Sequence, residues 1–218
     1  MSLPFTIDQF MGVFALYNTS IWPAQVLLNL LAVLAVILCF KPGSPSVLVP
    51  SVLGLLWIWT GSVYHLMFFS AINPVARVAG WLFIVQGILF LYTGVVKHDL
   101  RFRFTRSYRG IAGAVIILYA LVLYPLLGYL FGHTYPSSPT FGAPCPTTIF
   151  TFGVLLWSET RPRWFTLVIP VAWAFFGSSA ALMFGVVEDA GLFVSALTLI
   201  AITAMRGLWL QQKMNSEF

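Results

Sequence analysis

The chain has 218 residues, of which 60% are hydrophobic and only 8% are charged, and its formal net charge is +5. Soluble domains carry about 25% charged residues, so this composition excludes an ordinary soluble protein, whose surface must be polar. Several apolar runs approach the roughly 20 residues that an α-helix needs to cross a membrane. They lack the ten-residue alternation of barrel strands. The sequence therefore predicts an all-α, polytopic transmembrane helix bundle.

The first 20 residues differ from the rest of the chain. Residues 1–20 contain "LPFTIDQFMGVFALYN", which predicts a short interfacial helix or a tail packed on the bundle. This segment lacks the basic start and cleavage pattern of a conventional signal peptide. Residues 21–218 are expected to form a single transmembrane domain, because the loops are too short for a separate soluble domain. Trp22 and Pro23 open its first span, since proline is tolerated in a first helical turn.

The transmembrane domain is predicted to contain seven spans. They cover residues 21–40, 49–72, 75–96, 110–131, 145–158, 165–187 and 190–210. Lysine and arginine favour cytoplasmic loops, and with seven spans only Arg77 falls on the side opposite the other basic residues. This distribution predicts an outside N-terminus and a cytoplasmic C-terminus. The arginine-rich loop 97–109 is then expected to lie against anionic lipid, so the positive charge does not indicate nucleic-acid binding.

A proline-rich segment, "GHTYPSSPTFGAPCPTTIFTFG", joins spans four and five at residues 132–153. Prolines remove N–H donors and stiffen the backbone, so this segment predicts a rigid outer loop. Pro146 fits the first helical position after it, with Pro144 before it, which makes Cys145 the N-cap and places Thr147 in the first turn. A cysteine at a helix N-terminus faces unpaired N–H groups and can be reactive. The alternative is that Cys145 is an inert capping residue.

Several polar side chains are predicted to lie at the same outer level as Cys145. His65 is inside span two, about 10 Å below its outer end, and ionisable residues within spans indicate function by default. His133 ends span four, and Glu188 and Asp189 form the turn between spans six and seven. These observations predict an outer-facing binding site. Its candidate residues are His65, His133, Cys145 and Tyr64, with Glu188 and Asp189 as charge partners.

Two simpler interpretations of these residues remain open. His65 can donate a hydrogen bond to a neighbouring helix, and the Glu188–Asp189 turn can be solvated. A third interpretation is a metal site, because His65, His133 and Cys145 supply the nitrogen and sulfur ligands that zinc and copper prefer. The chain has no CxxC, HxxxH or HExxH motif, and the three ligands come from separate elements. A soft or borderline metal ion is therefore a hypothesis without a supporting motif.

Three functions are compatible with the sequence. The leading expectation is a transport or permeation protein for a small ion or solute, with a soft metal ion as the narrower case. The second is a non-catalytic scaffold or sensor that uses the rigid outer loop as a docking surface. The third is a membrane redox or haem-type enzyme, which is less favoured because no catalytic residues can be identified. Each of the three is compatible with a homo-oligomer in a lipid bilayer.

Two stretches, "LPFTIDQF…YNTSIWPAQ" and "PTFGAPCPTTIFTFG", resemble a family of small bacterial integral-membrane proteins known as domain of unknown function 6064. The resemblance extends over the whole chain. It implies a multi-pass protein of the bacterial inner (plasma) membrane, and it implies no activity. The positions to which it gives weight are Asn18, Trp22, Pro23, Phe141, Pro144, Cys145, Pro146 and Thr147.

Overall fold

The computed structural model describes residues 5–216, except for the side chains of residues 180–182 and 206–216. Within this range the chain is helical and has no strand, and β pairing is limited to two isolated bridges. The all-α prediction is therefore confirmed. The main helices are α1 (Ile7–Ser20), α2 (Ala24–Phe40), α3 (Leu48–Trp59), α4 (Ala76–Leu91), α5 (Tyr108–Leu118), α6 (Tyr124–Leu130), α7 (Pro144–Leu156), α8 (Phe165–Phe184) and α9 (Ala190–Ser216).

Short segments with wider or tighter helical turns adjoin several of these helices. A π-helical stretch, Thr60–Phe68, and a 3-10 turn, Phe69–Ala71, continue α3. A π-helical turn at Tyr92–Val96 ends α4, and another at Tyr119–Leu123 joins α5 to α6. A 3-10 turn at Val187–Asp189 precedes α9.

Four helical segments in the described part of the chain are long and apolar enough to cross a membrane. They are Leu48–Ala71, Ala76–Val96, Tyr108–Leu130 and Val187–Met205. Helices α1 and α2 together would make a fifth, although they are bent by 87° with respect to each other. Helix α7 and the stretch Phe165–Ser179 are apolar but shorter. Helices thus occur at all seven predicted positions, but length and composition support four or five spans.

The N-terminal segment is a helix packed on the bundle, and its first four residues lie outside the described range. The Thr6 side chain accepts a hydrogen bond from the Gln9 backbone N–H, and the Gln9 side chain accepts one from the Thr6 N–H. This reciprocal capping defines where α1 starts. Farther along α1, the side chains of Phe14 and Tyr17 are buried against the ring of Tyr64, which lies in the π-helical stretch after α3. The predicted first span begins at Ala24, directly after Pro23.

Helix α7 forms the centre of the bundle. All of its residues are buried except Cys145, which is partly exposed. Helix α5 packs closely against α7. A Cβ atom added at Gly153 would lie only 2.8 Å from the Gly113 carbonyl oxygen, so only a glycine fits at this position. Such contacts between small residues are typical of helices that pack in membranes. The predicted fifth span is therefore the most enclosed helix of the described chain.

The proline-rich segment is fastened to the bend between α1 and α2 by the buried side chain of Asn18. Its Nδ2 donates hydrogen bonds to the carbonyl oxygens of Pro136 (2.6 Å) and Ser138 (2.7 Å). Its Oδ1 accepts hydrogen bonds from Thr140 Oγ1 (2.7 Å) and Gln25 Nε2 (2.8 Å). The side-chain amide of Asn18 thus donates hydrogen bonds to two carbonyl groups of a segment whose prolines lack N–H donors. This arrangement holds the loop in one shape and places the start of α7.

Candidate functional site

Cys145 occupies a different helical position from the one expected. The N-cap of α7 is Ala143, and Pro144 is the first helical residue, so Cys145 is in the first turn rather than at the cap. The N-cap assignment was wrong because Pro144 and Pro146 both fit the first helical turn, where a missing N–H group has no consequence. The structure uses the earlier proline. Cys145 and Asp189 line the same internal cavity.

The acidic turn before α9 is buried. Glu188 and Asp189 are only 1% and 5% exposed, so the alternative of a solvated turn is wrong. Glu188 Oε1 lies 2.9 Å from His133 Nδ1. Helix α6 leaves room for this carboxylate at Gly128, where a Cβ atom would be 3.1 Å from the same oxygen. The structure thus pairs one predicted histidine with one predicted acid, from elements far apart in the sequence.

Asp189 is held by a neutral group. The Tyr124 hydroxyl donates a hydrogen bond of 2.6 Å to Asp189 Oδ1, and Cys145 lines the same cavity as Asp189. The Tyr119 hydroxyl donates to the backbone oxygen of Glu188 at 2.6 Å. We call the side chains of Tyr124, His133, Cys145, Glu188 and Asp189 the acidic cluster. It joins the start of α6, the proline-rich loop, α7 and the turn before α9.

Sequence analysis missed the two tyrosines of this site. Tyr119 and Tyr124 lie within the apolar run "IILYALVLYPLLGYL", where a tyrosine is typical of a membrane interface. Tyr124 contacts an acid that is 65 positions away. A signal was nevertheless present, since a buried tyrosine hydroxyl usually has a hydrogen-bond partner, and the acidic turn is the one group of carboxylates predicted at that level.

His65 is separate from the acidic cluster. It is fully buried, and neither of its ring nitrogens has a hydrogen-bond partner among the described residues. Its ring is surrounded by aromatic side chains, with centroid distances of 4.8 Å to Phe83, 5.1 Å to Trp173 and 5.3 Å to Tyr64. The expected hydrogen bond from His65 to a neighbouring helix is not formed.

The structure does not bring the three predicted metal ligands, His65, His133 and Cys145, into one group. Within residues 5–216, no three His, Cys, Asp or Glu side chains are grouped so that they can hold a metal ion. The physical reason is that each predicted ligand has other neighbours. His133 pairs with Glu188, His65 lies among aromatic rings, and Cys145 lines a cavity that neither histidine lines. The residues present therefore do not fit a soft or borderline metal ion.

A cavity of about 600 Å³ leads from the side of the bundle to the acidic cluster. Cys145 and Asp189 line its inner end, and Tyr64 and Trp173 line its wall. Its mouth lies between α4 and α8, where Val78, Leu82, Val168 and Phe176 are between 46% and 70% exposed. The N-terminal helix covers one end, because Phe10 stacks on Phe184 at 4.6 Å. We call this space the lateral cavity.

A second, polar cleft of about 460 Å³ lies at the opposite end of α8. Asp99, Arg101, Arg161 and Arg163 are among its lining residues. Arg163 Nη2 contacts Asp99 Oδ2 at 2.7 Å, and the two side chains are 59% and 38% exposed. The loop beneath it is anchored by Phe104, which stacks on Phe40 at 4.4 Å. The arginine-rich loop is thus partly fixed to the core by its aromatic side chains.

The protein is an all-helical bundle whose apolar helices are compatible with membrane insertion and whose lateral cavity ends at buried acids. The sequence pattern of the family of unknown function DUF6064 matches residues 7–215. The chain therefore belongs to that family, and the resemblance seen in the sequence is confirmed. No curated protein and no solved structure matches the chain.

Proposed function

We propose that this protein crosses the bacterial inner membrane seven times, with its N-terminus outside and its C-terminus in the cytoplasm, and binds a small solute for transport or permeation. The solute site is the lateral cavity with the acidic cluster at its inner end. Four or five apolar helices and the one-sided distribution of lysine and arginine support the membrane topology. We propose an organic solute rather than a metal ion, because the described residues show no group of three or more metal-ligating side chains.

The observation that carries the proposal is that the cavity ends at a buried carboxyl group. Burying an acid is unfavourable unless partners compensate it, and such residues in membrane segments usually line a pathway or a binding site. Asp189 lines the cavity, whereas Glu188 and His133 lie behind it as a pair. The cavity volume falls within the range of about 300 to 1,000 Å³ that small-molecule sites occupy.

Co-purified small molecules provide the direct test. The protein is isolated in mild detergent, extracted with organic solvent and examined by mass spectrometry. Wild-type protein is expected to retain a bound compound, and an Ala172→Trp variant, which fills the cavity wall, is expected to lose it. Ala201→Trp is the matched control, because Ala201 is exposed on α9 and does not line the cavity. Equal retention in both variants, or a site empty in wild type, would overturn the proposal.

The topology has its own test. A reporter that functions only in the cytoplasm is expected to be active at the C-terminus and in the loop 97–107, and inactive in the proline-rich loop 132–143. Activity in the proline-rich loop would reverse the proposed orientation. Inactivity at one of the two cytoplasmic positions would reduce the number of spans.

A further inference from the structure

We infer that the ligand of the lateral cavity is an amphiphilic organic cation, with an amine or quaternary ammonium group at Asp189 and a hydrocarbon body between α4 and α8. This inference rests on the proposed solute-binding function and specifies the chemical class of its ligand. Three observations support it, namely the apolar mouth, the charge balance of the acidic cluster and the aromatic lining.

The mouth of the cavity favours a ligand that enters from lipid. Val75, Val78, Val168 and Phe176 line the opening, and each is at least half exposed on the outside of the bundle. In a membrane these side chains face hydrocarbon. Val168 and Met183 both line the cavity about four helical turns apart, a rise of roughly 22 Å along α8. A long alkyl chain fits this shape better than a compact polar solute.

The charge balance at the inner end favours a cation. Glu188 and Asp189 are two buried acids, and His133 is the one basic side chain in contact with them among the described contacts. His133 is paired with Glu188, whereas the side-chain hydrogen bond to Asp189 comes from the neutral hydroxyl of Tyr124. Even with His133 protonated, an ionised pair of acids keeps one negative charge. Buried charges require a partner, and a bound ammonium group supplies it.

The aromatic lining favours the same ligand. Nine of the lining residues carry aromatic rings, including Tyr64 and Trp173. The faces of such rings attract cations, and the attraction is stronger when the contact is desolvated. Of the described lining residues, only Asp189 carries a formal charge. An anionic headgroup would meet this carboxyl group without a basic side chain in the lining to pair with.

A photolabelling experiment with matched competitors tests the inference. The protein is reconstituted in phosphatidylcholine nanodiscs and labelled with a dodecyltrimethylammonium probe that carries a diazirine on its chain. Mass spectrometry then locates the label, which is expected on α4 and α8 at the cavity. Dodecyltrimethylammonium, dodecanol and dodecanoate compete; their chains are alike and their headgroups are cationic, neutral and anionic. Dodecyltrimethylammonium is expected to compete roughly tenfold better than dodecanol or dodecanoate, because only its headgroup makes a desolvated charge contact in the cavity.

Variants separate a specific site from partitioning into lipid. Asp189→Asn keeps an acceptor for Tyr124 and removes the charge, and it is expected to abolish the advantage of the cation over dodecanol. Asp99→Asn, at the far end of α8, is expected to behave like wild type. Ala172→Trp is expected to remove cavity labelling, and Ala201→Trp is expected to keep it. If Asp189→Asn does not fold, headgroup competition on wild type together with the two tryptophan variants still decides the question.

The outcomes distinguish this inference from the proposed function. If dodecanol or dodecanoate competes as well as the cation while labelling remains in the cavity, the cation assignment is overturned and solute binding stands. If cavity labelling is no stronger in wild type than in Ala172→Trp, and the purified protein also carries no compound, both proposals fail. Selective competition by the cation that depends on Asp189 establishes the inference.

Discussion

The two ends of α8 carry ion pairs with nearly the same geometry in very different surroundings. Glu188 and His133 are 2.9 Å apart with 0% and 17% of their side chains exposed. Asp99 and Arg163 are 2.7 Å apart with 38% and 59% exposed. Water screens the second pair and hydrates each partner when it is alone, whereas the first pair has little access to water. The distance between the two partners of a pair therefore does not indicate how much Glu188 or Asp99 contributes to stability; the burial of the pair does.

The strongest test of this comparison is to remove one partner of the buried pair. With His133 protonated, the substitution His133→Ala leaves Glu188 buried without a cation, and we then expect the free energy of unfolding to fall by about 3 to 5 kcal/mol, as for other broken buried ion pairs. Unfolding by sodium dodecyl sulfate in mixed micelles measures the change. Glu188→Gln in the same background should recover part of the loss, because it removes the unpaired charge. A loss from His133→Ala below about 1 kcal/mol would show that the pair is effectively solvated.

A smaller effect is expected at the hydrogen bond that holds Asp189. Tyr124→Phe removes the 2.6 Å contact to Oδ1 and keeps the ring, so we expect a loss of about 1.5 to 3 kcal/mol if the acceptor is charged. The same unfolding titration measures it. Tyr129→Phe is the matched control, because Tyr129 is on the same helix and is 67% exposed. Equal effects of the two variants would contradict the special role of Tyr124.

The smallest effect is expected at the exposed pair. Asp99→Asn should change the free energy of unfolding by about 1 kcal/mol or less, because exposed ion pairs contribute little. Raising the salt concentration should reduce the difference between variant and wild type further, since ions screen exposed charges within about 10 Å at 0.1 M. A loss as large as that of His133→Ala would mean that the polar cleft is shielded from solvent.

Features that depend only on residues close together in the chain could be predicted from the sequence. The apolar runs predicted helices at the positions where α2 to α9 occur, since hydrophobic length and proline position act locally. The rigid proline-rich loop was also expected, but the N-cap was not placed correctly, because Pro144 and Pro146 are alternatives that local preference does not separate. The sequence pointed to Asn18 only through the family resemblance. In the structure its side chain donates hydrogen bonds to two carbonyl groups of the proline-rich loop.

Composition and hydrophobic pattern by themselves determined that this chain is all-helical, that its helices are apolar and where they lie, because these properties follow from short-range periodicity and burial of backbone hydrogen bonds. Which polar side chains meet was decided only by the tertiary structure. His133 reaches Glu188 across 55 positions, and Tyr124 reaches Asp189 across 65. His65, predicted at the same level, instead faces Phe83 and Trp173. Such side-chain contacts depend on the rotation and packing of each helix, because two side chains at the same membrane depth can point to opposite faces of their helices.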